Sequence, residues 1–101
     1  MAAHDMFLAM ILVNAKREEA QGVVLTVENS KSRIDILLLD GSSRPLTPPQ
    51  PEVLVKIIDL LEDGQRAFSS SVFAVEVEAV KIQRGPSSVQ ASISDWSIEH
   101  N

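Results

Sequence analysis

Apolar and polar residues alternate along this chain with two periods, which divide it into helical and extended stretches. From Met6 to Gln21 the apolar positions recur at helical spacing, with Met6, Ala9, Met10, Val13 and Ala20 on one face and Arg17 interrupting it. Phe7, Leu8, Ile11 and Leu12 make the first two turns apolar nearly all round, whereas Asn14 to Glu19 is amphipathic. Asp5 stands where an N-cap would, and Gly22 where a helix-ending glycine would. Two dispositions fit this helix. Its first half is buried beneath a sheet and its second half solvated, or Phe7, Leu8 and Ile11 pack against another subunit.

Val23 to Glu28 then alternates at period two, with Val23, Leu25 and Val27 on one face, and the polar turn Asn29-Ser30-Lys31-Ser32 folds it against Arg33–Leu39 as a hairpin. This second strand is apolar on both faces and ends at Asp40-Gly41, a turn pair. A short third strand follows near Ser43 to Leu46, then Thr47-Pro48-Pro49-Gln50-Pro51, which suits neither a central strand nor a helix interior. A second helix starts between Pro48 and Glu52, with Thr47 and Gln50 at capping-box spacing, and runs to about Asp63 before Gly64. Leu54, Ile57, Ile58 and Leu61 form its core stripe. The last third is extended: Val72 to Ile82 with Phe73, Val75, Val77 and Ala79 on one side, the turn Arg84-Gly85-Pro86-Ser87, then Ser88 to Ile98. Val89, Ala91 and Ile93 are out of phase with Trp96 and Ile98, which a bulge near Ser94-Asp95 reconciles. The expectation is one α+β domain over residues 1–101, in the order α-β-β-(β)-α-β-β, with an optional short strand near Arg66–Phe68. Its two helices lie on one face of an antiparallel sheet.

Composition narrows what such a domain does. Nine basic against fourteen acidic residues give a net charge of −5 and no basic run, which argues against nucleic acid or an anionic membrane as the partner. The apolar stretch Met6–Val13 is too short to insert across a bilayer, and it lacks the basic flank of a signal peptide. With no cysteine there is no thiolate nucleophile or Cys-based metal site, and a cytoplasmic location is expected.

The chemistry-bearing residues form no constellation. His4 and His100 lie near the ends, Ser69-Ser70-Ser71 has no base beside it, and Glu76 with Glu78 reads as a solvated strand face. Gly22, Gly41, Gly64 and Gly85 fit no phosphate-binding motif, and no zinc, calcium or HExxH spacing occurs. The expectation is therefore no enzyme, no cofactor and no metal.

The stretches Phe7–Gln21, Val23–Glu28, Arg33–Gly41, Leu46-Thr47-Pro48-Pro49 and the helix to Leu61 resemble one family region. It is the domain preceding the catalytic domain of the bacterial secretion-superfamily ATPases that drive type II secretion and type IV pili. There a helix of pattern ILxxAxxxxASDIHIEP leads into LRVRYRVDG, a short strand, a TPP-like loop and another helix. The resemblance covers roughly residues 7 to 62, implies a PAS-like fold, and leaves out the ATPase domain. Ala20-Gln21-Gly22-Val23 replaces the family's Ala-Ser-Asp-Ile, and the His and Glu of the family strand have no clear counterparts. The family's alternating arginines, which reach nucleotide, fall on Ile34, Ile36 and Leu38, so that role is not carried over.

The resemblance implies a non-catalytic protein-interaction module docking to a secretion or pilus component, or to itself as a homodimer. Ile34, Ile36, Leu38, Phe7, Leu8 and Ile11 are the interface candidates, because aliphatic side chains offer dehydration energy and no chemistry. The alternative is a PAS-like sensor with a small ligand between sheet and helices.

Overall fold

A computed structural model describes residues 3–100. The chain runs α1 (Ala3–Arg17), β1 (Gly22–Glu28), β2 (Lys31–Leu37), β3 (Ser43–Leu46), α2 (Pro51–Glu62), β4 (Ala67–Ser69), β5 (Phe73–Arg84) and β6 (Ser88–His100). The strands form one six-stranded antiparallel sheet in the order β3-β2-β1-β6-β5-β4, an α+β architecture compatible with a PAS-like fold. The order expected from sequence gains one strand, because the short stretch near Arg66–Phe68 forms β4.

Both helices cover the same sheet face, and the side chains between them make the core. Leu8, Leu12 and Ala15 of α1 and Leu54, Ile57, Ile58 and Leu61 of α2 meet Val23, Leu25, Ile34, Ile36, Ala91 and Ile93 in one buried cluster. Strand register sets this face: Val23 pairs with Ile36 and Ile93, and Leu25 with Ile34 and Ala91. Val24 and Thr26, one position over, pair with Asp35, Arg33, Ser92 and Gln90 on the uncovered face. A one-residue slip would exchange these sets and place Arg33 and Asp35 in the core, so the register is strongly specified.

The hairpin β5–β6 keeps its apolar residues inward by shifting phase in both strands. Val75 and Val77 oppose Ile98 and Trp96, but past an irregularity between Val77 and Val80 it is Val80 and Ile82 that oppose Ile93 and Ala91. The bulge expected near Ser94-Asp95 is present. Its counterpart in β5 breaks the strict alternation expected from Phe73 to Ala79, and so turns Val80 to the same side as Val75 and Val77.

Helix ends differ from expectation in both helices, first in α1, where Asp5 lies within the first turn and not at the cap. There Gly22 opens β1, and the helix ends at Arg17, four residues before the expected Gln21, closed by Glu19, whose φ is +58°. The Glu19 N–H donates to Lys16 O (3.0 Å) and the Ala20 N–H to Ala15 O (3.0 Å), a Schellman closure built on a non-glycine residue. α2 closes in the same way on Gly64 at φ +103°, with the Gln65 N–H donating to Leu60 O (2.9 Å). Its other end begins at Pro51 behind Gln50, without the capping box that Thr47 suggested. These two closures make a paired test. Glu19→Gly is expected to stabilise by about 0.5–1 kcal/mol and Gly64→Ala to destabilise by about 1 kcal/mol, seen as melting shifts of a few degrees in opposite directions.

α2 is tied to the sheet at its C-terminal end. The Arg84 guanidinium donates to Asp59 (3.0 Å) and Glu62 (2.7 Å), and its hydrogen bond holds the Glu62 carboxyl below the usual carboxylate range.

Candidate functional site

Once the core face is assigned, the remaining apolar surface is uneven. Met6 (41 % exposed), Met10 (54 %) and Val72 (52 %) are three of the four large hydrophobic residues exposed among the described residues, and all three line one groove. One wall is α1, on which Met6, Met10, Val13 and Arg17 recur at four-, three- and four-residue intervals and so share a face. The other wall is the turn joining β4 to β5. That turn is closed by Ser70, whose N–H donates to Phe73 O (2.8 Å) and whose Oγ accepts from the Phe73 N–H (3.0 Å). Ser71 and Val72 are thereby held at its tip, with the Val72 side chain turned outward. The groove encloses about 170 Å³.

It continues past Phe73 into a second hollow of about 300 Å³, bounded by Val13, Lys16, Arg17, Phe73, Ile98 and His100. Here the apolar floor acquires a basic rim. The Arg17 guanidinium lies 5.8 Å from the Phe73 ring centre and the Lys16 ammonium 4.9 Å from that of Trp96, both in cation–π range. Phe73 also packs its ring 4.7 Å from that of His100, its strand partner. Lys16 donates to Trp96 O (2.9 Å), which fixes it against β6. Among the described residues, Arg33, Arg44 and Arg84 are paired with carboxylates, whereas Lys16 and Arg17, like Lys31, Lys56, Arg66 and Lys81, are not, and only Lys16 and Arg17 line this hollow. In a chain of net charge −5, two cations without counter-ions beside an apolar groove favour an acidic visitor.

The residues expected at an interface are elsewhere. Ile34, Ile36 and Leu8 are fully buried and Ile11 nearly so, all beneath the chain's own helices and sheet, where no partner reaches them. Phe7 and Leu38 are half-buried against the same core. The physical reason is register: β1 offers Val23, Leu25 and Val27 on its covered face, and pairing draws Ile34 and Ile36 to that side. β2 ends at Leu37, and Leu38–Ser42 is a turn in which Leu39 is the fourth exposed hydrophobic, at 68 %. Met6 and Met10 share their helix face with Arg17, a signal in the sequence that this edge of the face reaches water, although Ala9 and Val13 beside them are buried.

The expected candidates for chemistry stay apart. Glu76 and Glu78 are exposed, His4 sits beside Asp5 on α1, and His100 ends β6. Among the described residues, no group of three or more His, Asp or Glu side chains could hold a metal ion, and no helix is long and apolar enough to cross a membrane. No protein-family model matches the sequence, and no curated protein matches it. Fold and site together define a small α+β domain with a one-sided antiparallel sheet and an apolar, basic-rimmed surface groove.

Proposed function

We propose that this chain is a non-catalytic protein-interaction module that receives an apolar side chain, flanked by acidic residues, in the groove between α1 and the β4–β5 turn. The observation that carries this reading is the convergence of Met6, Met10 and Val72 on one groove beside the unpaired cations Lys16 and Arg17. Methionines suit such a role, since their unbranched, polarizable side chains adapt to differently shaped anchors. An anchor that removes about 200 Å² of apolar surface from water gains about 5 kcal/mol. After the cost of association this corresponds to a weak, reversible partner.

The family resemblance adds a bacterial, cytoplasmic setting and a secretion or pilus component as the source of the segment, and that part of the reading rests on the resemblance alone. The sensor alternative has less support. The layer between sheet and helices, where a PAS-like ligand would sit, is filled by fully buried side chains such as Leu25, Ile34, Leu54 and Ile57.

Selection from a random peptide library tests the reading. The enriched peptides are expected to carry an aliphatic or aromatic residue next to Asp or Glu. Met10→Glu should weaken their binding at least about tenfold, the loss of one hot spot. Enriched peptides that are basic, or that bind the Met10→Glu variant equally well, would sink it.

A further inference from the structure

The sheet has a third unpaired border besides its two outermost strands. The outermost strands are blunted: β3 is four residues long and contains Pro45, which has no N–H, and β4 is three residues long. β4 covers β5 only from Ala74 to Glu76, and the Val77 N–H is taken by Arg66 O (2.8 Å). From Glu78 to Arg84, no strand among the described residues lies on the outer side of β5.

The hydrogen-bond phase along this border follows from its far end. The Gly85 N–H donates to Ser88 O (2.9 Å), so Gly85 faces β6. Antiparallel alternation then bonds Gln83 to Gln90 and Lys81 to Ser92, and turns the N–H and C=O groups of Val80, Ile82 and Arg84 away from β6. Val80 and Ile82 are half-buried and packed against the core, with their side chains on the helix-covered face.

We infer that this border pairs with the same border of a second copy of the chain, antiparallel and two-fold about Ile82. In that register Ile82 meets Ile82 of the second copy, and Val80 meets Arg84 in both directions. Three pairs, each exchanging two bonds, satisfy every outward group of Val80, Ile82 and Arg84. On the uncovered face Lys81 comes opposite Gln83 of the second copy, so no like charges face each other. Moving the axis by one residue, to Lys81, sets two lysines opposite each other and brings Arg84 against the irregular stretch at Glu78. Moving it the other way, to Gln83, sets Val80 opposite Pro86, which has no N–H to exchange. The border therefore favours the Ile82 register, and pairing there joins two sheets into a continuous twelve-stranded one. This inference does not depend on the groove, none of whose lining residues belongs to Glu78–Arg84.

Sedimentation equilibrium of the full chain from about 1 μM to about 1 mM tests it, a span that covers weak homodimers. A reversible dimer is expected. Gln83→Glu, at an exposed position, should tighten it about fivefold by setting a carboxylate opposite Lys81 in both directions, and Gln83→Lys should weaken it by a similar factor. Met10→Glu should leave the dimer unchanged. A chain that is monomeric throughout overturns the inference. So does a dimer indifferent to both Gln83 substitutions, or one that Met10→Glu abolishes.

Discussion

Trp96→Ala is expected to lower the stability of the fold by about 3–5 kcal/mol, a large share of the total for a domain of this size. Trp96 is 3 % exposed and stands where β6 resumes its inward phase after the bulge. Its indole N–H donates to Leu12 O (2.9 Å), which locks α1 to the sheet, and its ring underlies the Lys16 ammonium. Truncation removes the ring volume, the helix-to-sheet hydrogen bond and the surface on which Lys16 rests. Trp96→Phe keeps most of the volume and loses the donor. Leu12 O retains its helical partner, so the expected cost is about 1–2 kcal/mol. Urea unfolding followed by circular dichroism measures both variants, since Trp96 is the only tryptophan and the chain has no tyrosine. A Trp96→Ala variant within about 1 kcal/mol of the parent, on the scale of ordinary surface substitutions, would contradict this account of how α1 is held.

The second large effect separates neighbours in one apolar run. Ile36→Ala is expected to cost about 2–4 kcal/mol, because Ile36 is fully buried between Val23 of β1 and the helices. Leu39→Ala, three residues on and mostly exposed in the turn, is expected to change stability by less than about 0.5 kcal/mol. The same unfolding measurement compares them. Equal costs at the two positions would mean that β2 pairs with β1 in the other register.

That run also shows where the sequence stops being informative. Period-two patterning identifies β1 without ambiguity, since Val23, Leu25 and Val27 alternate with Val24, Thr26 and Glu28. In Ile34–Leu39, five of six residues are apolar, and either phase gives a hydrophobic face. The choice is made by β1 across the hairpin, a non-local fact. Asn29 and Ser30 make the connection, both at positive φ, as a two-residue hairpin turn requires. In β5 the small Ala79 fits either face, so the phase shift that carries Val80 and Ile82 inward left no mark until β6 was laid beside it. The helices were legible through their stripes and through Gly64. At α1 the stop is a strained Glu19, for which propensity gives no cue.

The groove was half-legible. α1 carries two apolar stripes, and only the one holding Leu8, Ile11, Leu12 and Ala15 is free of charge. That distinction leaves Met6 and Met10 outside, although Ala9 and Val13 of the charged stripe are also buried. The second wall, Val72 and Phe73, comes from a turn more than fifty residues away and depends on how β4 and β5 fold back onto α1.

The most direct measurement of the central claim is a titration of the isotopically labelled chain with an acidic, leucine-containing peptide, following backbone amide resonances. The shifts are expected to concentrate at Met6, Met10, Val13 and Arg17 of α1 and at Ser71, Val72 and Phe73 of the β4–β5 turn, and to vanish in the Met10→Glu variant. Shifts confined to the uncovered sheet face around Thr26, Asp35 and Gln90, with the groove silent, would contradict it.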